Sequence, residues 1–248
     1  MSADAGFPDH FSRAARSYAA FRPRYPDAIV DWLATCAPRC DLAWDVGCGS
    51  GQLSDVLVTR FARVIATDAS AEQIARAKAH PRIEYRVARA EDPGLDAASV
   101  DLVVAAQSAH WFAQDAFHDV VRRVVRGAAP IVLLAYGRVV VDDPVRAIVD
   151  RFYDGPLRDH WPPERRHVES AYRSLPFPFV EFAAPHLELR ESWDLERVLG
   201  YIETWSATLA LRARDPSAVD AWRAEMTAAW GDPSRPRVVT WPLAIRAG

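Results

Sequence analysis

The chain has 248 residues, half of them hydrophobic, and a formal net charge of −3 at pH 7. A chain of this length can bury the core of one large α/β domain, and without a basic cluster it is not expected to bind nucleic acid. No apolar run reaches the ~20 residues of a membrane helix, and the first residues lack a signal-peptide pattern. We therefore expect a cytoplasmic protein that binds neither nucleic acid nor membranes.

The three cysteines, Cys36, Cys40 and Cys48, are an odd number, which argues against a disulfide framework. Cys36 and Cys40 are close in sequence, but without a second pair of cysteines or histidines they do not indicate a zinc site. Cys48 lies in a glycine-rich loop, where packing of a small side chain is favoured over a reactive thiol.

Apolar residues at helical spacing predict a first helix over residues 11–21, which ends before Pro23. The segment from there to Pro26 is predicted to be extended, because residues that precede proline avoid the helical region. A second helix is predicted over Asp27–Cys36, with Ile29, Val30 and Leu33 on its buried side.

The middle of the chain alternates short apolar runs with helical patterns. Strands are predicted at about 42–47, 63–68, 83–88, 100–106 and 130–136, and helices near 51–60, 71–79 and 115–125. This alternation predicts a parallel sheet with right-handed crossovers. Ligands of such sheets bind at the carboxyl ends of the strands, where the strand order reverses.

After Gly137 the pattern changes to a proline-rich stretch, which predicts one helix, Pro144–Tyr153, and an irregular lid over the strand ends. The remaining elements are predicted as a strand at Leu187–Trp193, helices at Leu195–Thr208 and Pro216–Trp230, and a last strand at Arg237–Ile245. Pro242 favours an edge or bulge position within that strand.

The glycine-rich segment 45–51 lies between the first strand and the following helix. A dinucleotide fingerprint requires glycine at the third position of G-x-G-x-x-G, where this chain has Gln52. The carboxylate of Asp45 would repel a pyrophosphate and attract an ammonium group. S-adenosylmethionine has such an ammonium, beside an adenosine and no phosphate, so a nicotinamide oxidoreductase is disfavoured.

Residues 45–54, DVGCGSGQLS, resemble the first motif of class I S-adenosylmethionine-dependent methyltransferases. Further segments that resemble motifs of this family follow in order at 64–68, 88–92, 100–107 and 108–112. The last of these resembles the HWF signature of a small-molecule subgroup that includes trans-aconitate methyltransferase-like proteins. One departure is the segment 126–130, RGAAP, where the family usually has a Pro-Gly-Gly turn.

The resemblance implies an α/β fold of the Rossmann-like kind, with a seven-stranded, mostly parallel sheet, helices on both faces and an antiparallel last strand. We expect one domain, divided into N-terminal helices that cover the cofactor, a cofactor-binding core, a lid insertion, and a C-terminal part that completes the sheet and carries acceptor-pocket helices. The respective boundaries are 1–40, 41–137, 138–186 and 187–248.

The resemblance also implies the residues that bind S-adenosylmethionine. The glycines shape the turn, Asp45 approaches the amino group, and Asp68 accepts hydrogen bonds from both ribose hydroxyls. The loop after the third strand borders the adenine, and Gln107 lies under the methionine end. The predicted cofactor-binding residues are Asp45, Gly47, Cys48, Gly49, Gly51, Gln52, Asp68, Ala69, Ala90, Glu91 and Gln107. An alternative for Asp68 is a helix N-cap before Ala71.

His110 follows the fourth strand and is the candidate catalytic residue. A neutral imidazole there could take a proton from a hydroxyl substrate, or it could contact the ligands without acting as a base. His110, Asp115, His118 and Asp119 also suggest a metal site. A solvated face of the predicted helix explains the two aspartates better, so no metal is expected.

The acceptor site is expected to include aromatic and cationic residues from the N-terminus, the strand ends and the second half of the chain. These are Tyr18, Arg22, Tyr25, Trp111, Arg138, Tyr201 and Trp205. Core packing is the alternative for most of the aromatic residues. An arginine would be the natural anchor for a carboxylate substrate.

These observations predict methyl transfer to a small molecule, at a carboxylate or hydroxyl oxygen, by positioning and exclusion of water. The alternatives are an N- or C-methyltransferase of a natural-product pathway, and an inactive S-adenosylmethionine-binding module. Both a monomer and a homodimer are compatible with the sequence.

Overall fold

The computed structural model describes residues 21–248, which form two compact units. The sheet unit comprises Pro23–Asp142, Pro163–Ser192 and Val238–Gly248. The helical unit comprises Asp143–Pro162 and Trp193–Arg237, together with residues 21 and 22. The helix predicted over residues 11–21 lies outside the described residues, except for its last position.

The strands are β1 (Leu42–Val46), β2 (Arg63–Asp68), β3 (Ile83–Val87), β4 (Leu102–Ala106), β5 (Ile131–Tyr136), β6 (Leu187–Trp193) and β7 (Arg237–Ala247). The described helices are α1 (Asp27–Cys36), α2 (Ser54–Leu57), α3 (Ala71–Arg76), α4 (Gln114–Val124), α5 (Val145–Asp154), α6 (Arg165–Glu169), α7 (Leu195–Glu203), α8 (Ser206–Arg214) and α9 (Pro216–Trp230). Two short 3₁₀ turns lie at Ala109–Trp111 and Arg158–His160. None of the helices within residues 21–248 is long and apolar enough to cross a bilayer.

The seven strands form one sheet in the order β3-β2-β1-β4-β5-β7-β6. The first five strands pair in parallel, and β7 runs antiparallel to β5. The predicted mostly parallel sheet with an antiparallel last strand is therefore confirmed. Because the chain order reverses between β1 and β4, the carboxyl ends of these two strands mark the expected ligand site.

The core of the sheet unit packs around β1. Trp44 is fully buried, and its Nε1 donates a hydrogen bond of 2.9 Å to Thr67 Oγ1 on β2. The ring of Phe117 from α4 meets Trp44 edge to face at 6.2 Å. These contacts hold α4 against the sheet. They also fix the position of β1, and with it the start of the loop that follows.

The N-terminal ends of β1 and β4 are joined by the fully buried carboxylate of Asp101. Asp101 accepts hydrogen bonds from the backbone N–H groups of Asp41 (3.1 Å) and Leu42 (3.0 Å). It also accepts one from Arg126 Nη1 at 2.7 Å. Arg126 begins the segment that departs from the family's Pro-Gly-Gly turn, so this departure supplies the ion pair that anchors the strand starts.

Three predicted helices differ from the observed ones at their ends. After α2 the chain continues in tight turns, with Thr59 and Arg60 each donating to the carbonyl three residues earlier. The helix predicted to continue to residue 79 ends at Arg76. The predicted helix Leu195–Thr208 is wrong, because Trp205 is extended (φ −65°, ψ 138°) and separates α7 from α8. Burial of the Trp205 ring outweighs helix propensity at this position.

The helical unit has its own aromatic core. Phe152 of α5 stacks on Trp222 of α9, with ring centroids 4.5 Å apart. The segment predicted as a lid is divided between the units, since Asp143–Pro162 belongs to the helical unit and Pro163–Ser192 to the sheet unit. The role of this segment as a cover for the strand ends stays a prediction. The interpretation of the chain as one domain with four parts also stays a prediction.

We predict that Asp101→Ala lowers the free energy of unfolding by about 3 kcal/mol, because it leaves two buried N–H groups and Arg126 without their acceptor. Urea denaturation followed by tryptophan fluorescence measures the change. Asp119→Ala is the control, since its salt bridge to Arg122 is exposed and should change stability by no more than about 0.5 kcal/mol. Equal stability of both variants would contradict the anchoring role.

Candidate functional site

The loop after β1 turns sharply back toward β2. The backbone N–H groups of Gly47 and Cys48 both donate to the carbonyl of Thr67, at 2.7 and 3.0 Å. Gly47 has a φ of +66°, and a Cβ there would lie 2.4 Å from the Cβ of Ser108. This position therefore requires glycine both for its backbone conformation and for the close approach of the chain after β4.

Gly49 forms the open part of the same loop. Its φ is +57°, and a Cβ at this position would meet no atom of residues 21–248 within 4 Å. Its N–H donates to Asp68 Oδ2 at 2.8 Å, which ties the loop to the end of β2. Because the space beside its Cα is open, a ligand can approach the backbone of Gly49 closely. Gly51, by contrast, faces Tyr85, whose Oη would lie 2.2 Å from an added Cβ.

Asp45 lies one residue before the end of β1, and only 1% of its surface is exposed. Its Oδ2 accepts a hydrogen bond of 2.6 Å from Ser54 Oγ. Its Oδ1 is buried and has no hydrogen-bond partner among residues 21–248. Burial, with a smaller contribution from the nearby charge of Asp68, raises the pKa of Asp45 to about 7. A buried carboxylate oxygen without a donor is costly unless a ligand supplies one.

Asp68 is the last residue of β2 and is half-buried. Its Oδ1 accepts from Ser70 N and its Oδ2 from Gly49 N, both at 2.8 Å. Burial raises its pKa, and these two hydrogen bonds oppose the rise. Ser70, not Asp68, caps α3, because its Oγ accepts from Gln73 N. The alternative of an Asp68 N-cap is therefore wrong, and the carboxylate lies between the glycine loop and the start of α3.

The loop after β3 contains two predicted adenine neighbours. Ala90 is buried, whereas Glu91 is half-buried and its Oε1 accepts from Ala113 N at 2.7 Å. The Glu91 side chain therefore joins this loop to the start of α4. Of the other predicted cofactor residues, Gln52 is half-buried in the glycine loop and Ala69 is exposed after β2.

Gln107 follows β4 in a left-handed backbone conformation, with a φ of +58°. Such a conformation is strained for residues other than glycine and is concentrated at functional sites. Its Nε2 donates to the carbonyl of Tyr136 at 2.7 Å, which joins the ends of β4 and β5. The next residue, Ser108, is buried and donates to the carbonyl of Val46 at 2.7 Å. Ser108 was not among the predicted site residues, although it directly follows the fourth-strand motif.

His110 lies in the 3₁₀ turn after β4. Its Nδ1 is 3.1 Å from the hydroxyl of Tyr172, and its ring is 4.9 Å from that of Trp111. Burial, followed by the charges of Arg165 and His167, lowers the pKa of His110 to about 3. The imidazole is therefore neutral at physiological pH and is a weak proton acceptor.

Tyr172 is a second functional candidate that was not predicted. It is fully buried, has a φ of +59°, and belongs to the hydrophobic core that contains Trp44 and Ala109. Its carbonyl accepts a hydrogen bond of 2.8 Å from Arg246 of β7. No motif marks this position, because it is 62 residues from His110 in an irregular part of the chain.

The predicted acceptor residues of the sheet unit lie near strand ends. Tyr25 is buried, with its ring 6.4 Å from that of Tyr136 at the end of β5. Arg138 is half-buried two residues further along, and Trp111 is half-buried beside His110. The carboxyl ends of β4 and β5 are thus the part of the sheet unit where an acceptor would meet these side chains.

The other predicted acceptor residues belong to the helical unit, except Tyr18, which lies outside the described residues. Arg22 lies over the ring of Tyr201 at 5.3 Å, and the rings of Tyr201 and Trp205 are 5.6 Å apart. Their spacing had predicted that Tyr201 and Trp205 lie on one helix, and this prediction is wrong, because Trp205 lies between α7 and α8. Tyr201 and Trp205 are 1% and 5% exposed, and Trp205 also packs against the buried ring of Tyr153, which favours core packing for both residues.

Two further predictions concern reactive or metal-binding groups. Burial and the nearby carboxylates raise the pKa of Cys48 far above its ordinary value, so a thiolate is disfavoured there. His118 is not part of a solvated face, since it is 2% exposed and packs against Phe117 and Phe179. Among residues 21–248, no group of three or more His, Cys, Asp or Glu side chains has the geometry to hold a metal ion.

Comparisons with known proteins agree with this geometry. A family described as a methyltransferase domain matches residues 44–133. A Dictyostelium discoideum protein assigned as a methyltransferase is 31% identical over 208 residues, which are 82% of this chain and 79% of that protein. An uncharacterized methyltransferase of Mycobacterium tuberculosis is 38% identical over 102 residues, or 41% of each chain.

A solved structure from Anaeromyxobacter dehalogenans, described as a type II methyltransferase, is 51% identical to this chain. The two structures superpose with a TM-score of 0.87, and the match covers 92% of this chain and 97% of that one. With the strand order and the glycine loop after β1, these similarities show that the chain belongs to the class I S-adenosylmethionine-dependent methyltransferases.

Proposed function

We propose that this enzyme transfers the methyl group of S-adenosylmethionine to a small-molecule acceptor, at a carboxylate or hydroxyl oxygen. The observation that carries the proposal is the buried Oδ1 of Asp45, which has no donor among the described residues, in the strand that leads into the open loop at Gly49. A cationic ligand group of the right size satisfies this oxygen, and a phosphate does not. S-adenosylmethionine supplies an ammonium for this oxygen and a methyl group already activated by a positive sulfur.

The residues of the glycine loop fit the cofactor in two further respects. No atom of the described part of the chain fills the space beside the Gly49 backbone, where a ligand can approach. Each oxygen of Asp68 accepts one backbone hydrogen bond and keeps a second lone-pair direction for a ribose hydroxyl. We therefore assign the amino group to Asp45 and the ribose to Asp68, with Gln107 at the methionine end and Ala90 and Glu91 beside the adenine.

The protein's contribution to the reaction is mainly positional. Holding two reactants in line can lower a barrier by ~7–11 kcal/mol, so the reaction does not need a strong base. The strained Gln107 and the buried Ser108 fix the backbone that leads to His110. Tyr25, Trp111 and Arg138 are the acceptor-binding residues that we propose for the sheet unit. The resemblance of residues 108–112 to the trans-aconitate-like subgroup favours a carboxylate as the acceptor.

The first experiment is titration calorimetry of the purified protein with S-adenosylmethionine and with NADH. We expect binding of S-adenosylmethionine alone. Binding of NADH, or of neither compound, would overturn the proposal. A screen of carboxylic acids, phenols and amines for cofactor-dependent methyl transfer then identifies the acceptor class. Turnover of amines alone would overturn the assignment to an oxygen.

We predict that Asp68→Ala weakens binding of S-adenosylmethionine by about 10- to 100-fold, because two charge-assisted hydrogen bonds are lost. Calorimetry measures the affinity, and circular dichroism verifies that the variant is folded. Asp31→Ala serves as the control, since its carboxylate forms an exposed salt bridge with Arg60. Unchanged affinity in Asp68→Ala would remove Asp68 from the ribose site.

We predict that Gly49→Ala weakens binding of S-adenosylmethionine by at least about tenfold, through contact of the new methyl group with the ligand. Gly127→Ala is a matched control, because Gly127 has the same φ of +57° and the same open space around its Cα. Both variants should lose about 1 kcal/mol of stability, since both place alanine in the left-handed region. Equal loss of affinity in both would show that backbone strain, not ligand contact, is responsible.

The raised pKa of Asp45 predicts a pH-dependent affinity. In the free protein Asp45 is largely protonated below its pKa of about 7, whereas a bound ammonium favours the carboxylate and lowers that pKa. Binding should therefore release a proton, and affinity should rise from about pH 5.5 to 7. Calorimetry in buffers of different ionisation enthalpy counts the proton, and Asp45→Asn should abolish its release.

The raised pKa of Asp45 also affects the stability of the free protein, which should fall, not rise, as the pH increases. Because the folded-state pKa is raised, Asp45 stabilises the fold fully below its ordinary pKa of about 4. That contribution is lost as the pH rises through about 7. Urea denaturation should therefore show a smaller loss of stability over this range in Asp45→Asn than in the parent. An identical pH dependence in both proteins would contradict the assigned shift.

A further inference from the structure

His110 and Tyr172 form a buried hydrogen-bonded pair beside the carboxyl end of β4. Nδ1 of His110 lies 3.1 Å from the Tyr172 hydroxyl, and the two rings are 5.8 Å apart with a tilt of 33°. The Tyr172 ring is fully buried. The pair is inside the sheet unit and has no role in the cofactor contacts described above.

The surroundings of the Tyr172 hydroxyl indicate which atom of the pair donates. Within residues 21–248 the hydroxyl has no hydrogen-bond acceptor other than Nδ1 of His110. If Nδ1 carried the proton, the phenolic proton would be buried without an acceptor, which is costly. The hydroxyl proton therefore points at Nδ1.

Burial keeps both members of this pair neutral. It opposes a second proton on the imidazole of His110, and the positive charge of Arg165 in α6 adds to that effect. Burial likewise opposes loss of the phenolic proton, and the charge of Arg165 does not reverse that effect. A neutral imidazole whose Nδ1 accepts a hydrogen bond carries its proton on Nε2.

We propose that Tyr172 is a positioning residue that fixes His110 in the Nε2-protonated form, so that His110 donates a hydrogen bond to the acceptor oxygen instead of removing its proton. This proposal rests on the proposed function and narrows it. A residue that donates suits an acceptor that is already ionised, such as a carboxylate, and not a neutral alcohol.

Such an acceptor makes the proton balance simple. One carboxylate oxygen forms the bond to the methyl carbon, the bond from that carbon to sulfur breaks, and its electron pair stays on sulfur. The products are a methyl ester and the neutral thioether, and no proton is transferred. The Nε2–H group of His110 orients the carboxylate through its other oxygen, and the positive charge of Arg165, which acts on His110, favours an anion there.

The tautomer of His110 tests the proposal directly. Long-range ¹H–¹⁵N correlation spectra of histidine-labelled protein near neutral pH distinguish protonated from unprotonated ring nitrogens. The signals of His110 are identified among the seven histidines by their loss in His110→Gln. We expect a proton on Nε2 in the parent and a mixture of both tautomers in Tyr172→Phe. A proton on Nδ1 in the parent, or an unchanged tautomer in Tyr172→Phe, would overturn the proposal.

Tyr153→Phe is the matched control for this measurement. Tyr153 is also a buried tyrosine, but it packs in the core of the helical unit against Trp161 and Trp205. The variant removes one buried hydroxyl and should leave the His110 signals unchanged. A change of the His110 tautomer in this variant as well would mean that the signal reports general loosening of the fold, and the proposal would fail.

The second test uses acceptors found in the screen. The amide nitrogen of glutamine occupies nearly the position of Nε2, and it can donate a hydrogen bond but cannot act as a base. His110→Gln should therefore retain kcat/KM within about fivefold of the parent, whereas His110→Ala should lose about 10- to 100-fold. Equal losses in both variants, with a pH profile that requires an ionising base, would overturn the donor role.

The two tests separate this inference from the proposed function. The tautomer is measured in the free protein, so it does not depend on whether S-adenosylmethionine binds. Failure to bind S-adenosylmethionine would overturn the proposed function and leave the tautomer result standing. Binding of the cofactor together with an Nδ1-protonated His110 would overturn only the inference drawn here.

Discussion

The central position of β1 in the sheet is the constraint on which the rest of the structure depends. β1 pairs in parallel with β2 on one side and β4 on the other, so the loops that follow all three strands meet at one edge. The contact between Gly47 and Ser108 joins two of these loops, and the hydrogen bond from Gly49 to Asp68 joins the third. The buried Trp44 and Asp101 hold the strand at its middle and its start, far from the chemistry.

Burial at this edge also determines the electrostatics of the site. Removing Asp45 and His110 from water disfavours the charged form of each, which raises the pKa of the acid and lowers that of the base. The free site therefore holds fewer charges than its sequence would suggest. In the proposed site a cationic cofactor would restore the charge of Asp45, whereas a neutral His110 is suited to directional hydrogen bonding. Positioning by neutral groups is consistent with a reaction whose methyl donor is already activated.

Much of this site was predictable from sequence because its chemistry is local. The spacing of acid and glycines in residues 45–51 determines a tight loop directly after a strand, and the parallel sheet brings that loop to the ends of its neighbours. Asp68, Gln107 and His110 were predictable at strand ends for the same reason. Tyr172 was not predictable, because nothing in residues 163–185 marks which aromatic side chain returns to His110. Trp205 was wrongly predicted inside a helix, where its extended backbone separates α7 from α8.

The sequence by itself determined the class of fold, the order of its strands and the family, since these depend on periodicity and on a short motif with strict backbone requirements. Only the tertiary structure decided how each side chain is used. It placed Glu91 on the backbone of Ala113, made Ser70 the cap of α3, and paired His110 with Tyr172. The physical reason is that burial, hydrogen-bond partners and pKa depend on residues distant in sequence, and no local pattern encodes which of them come into contact.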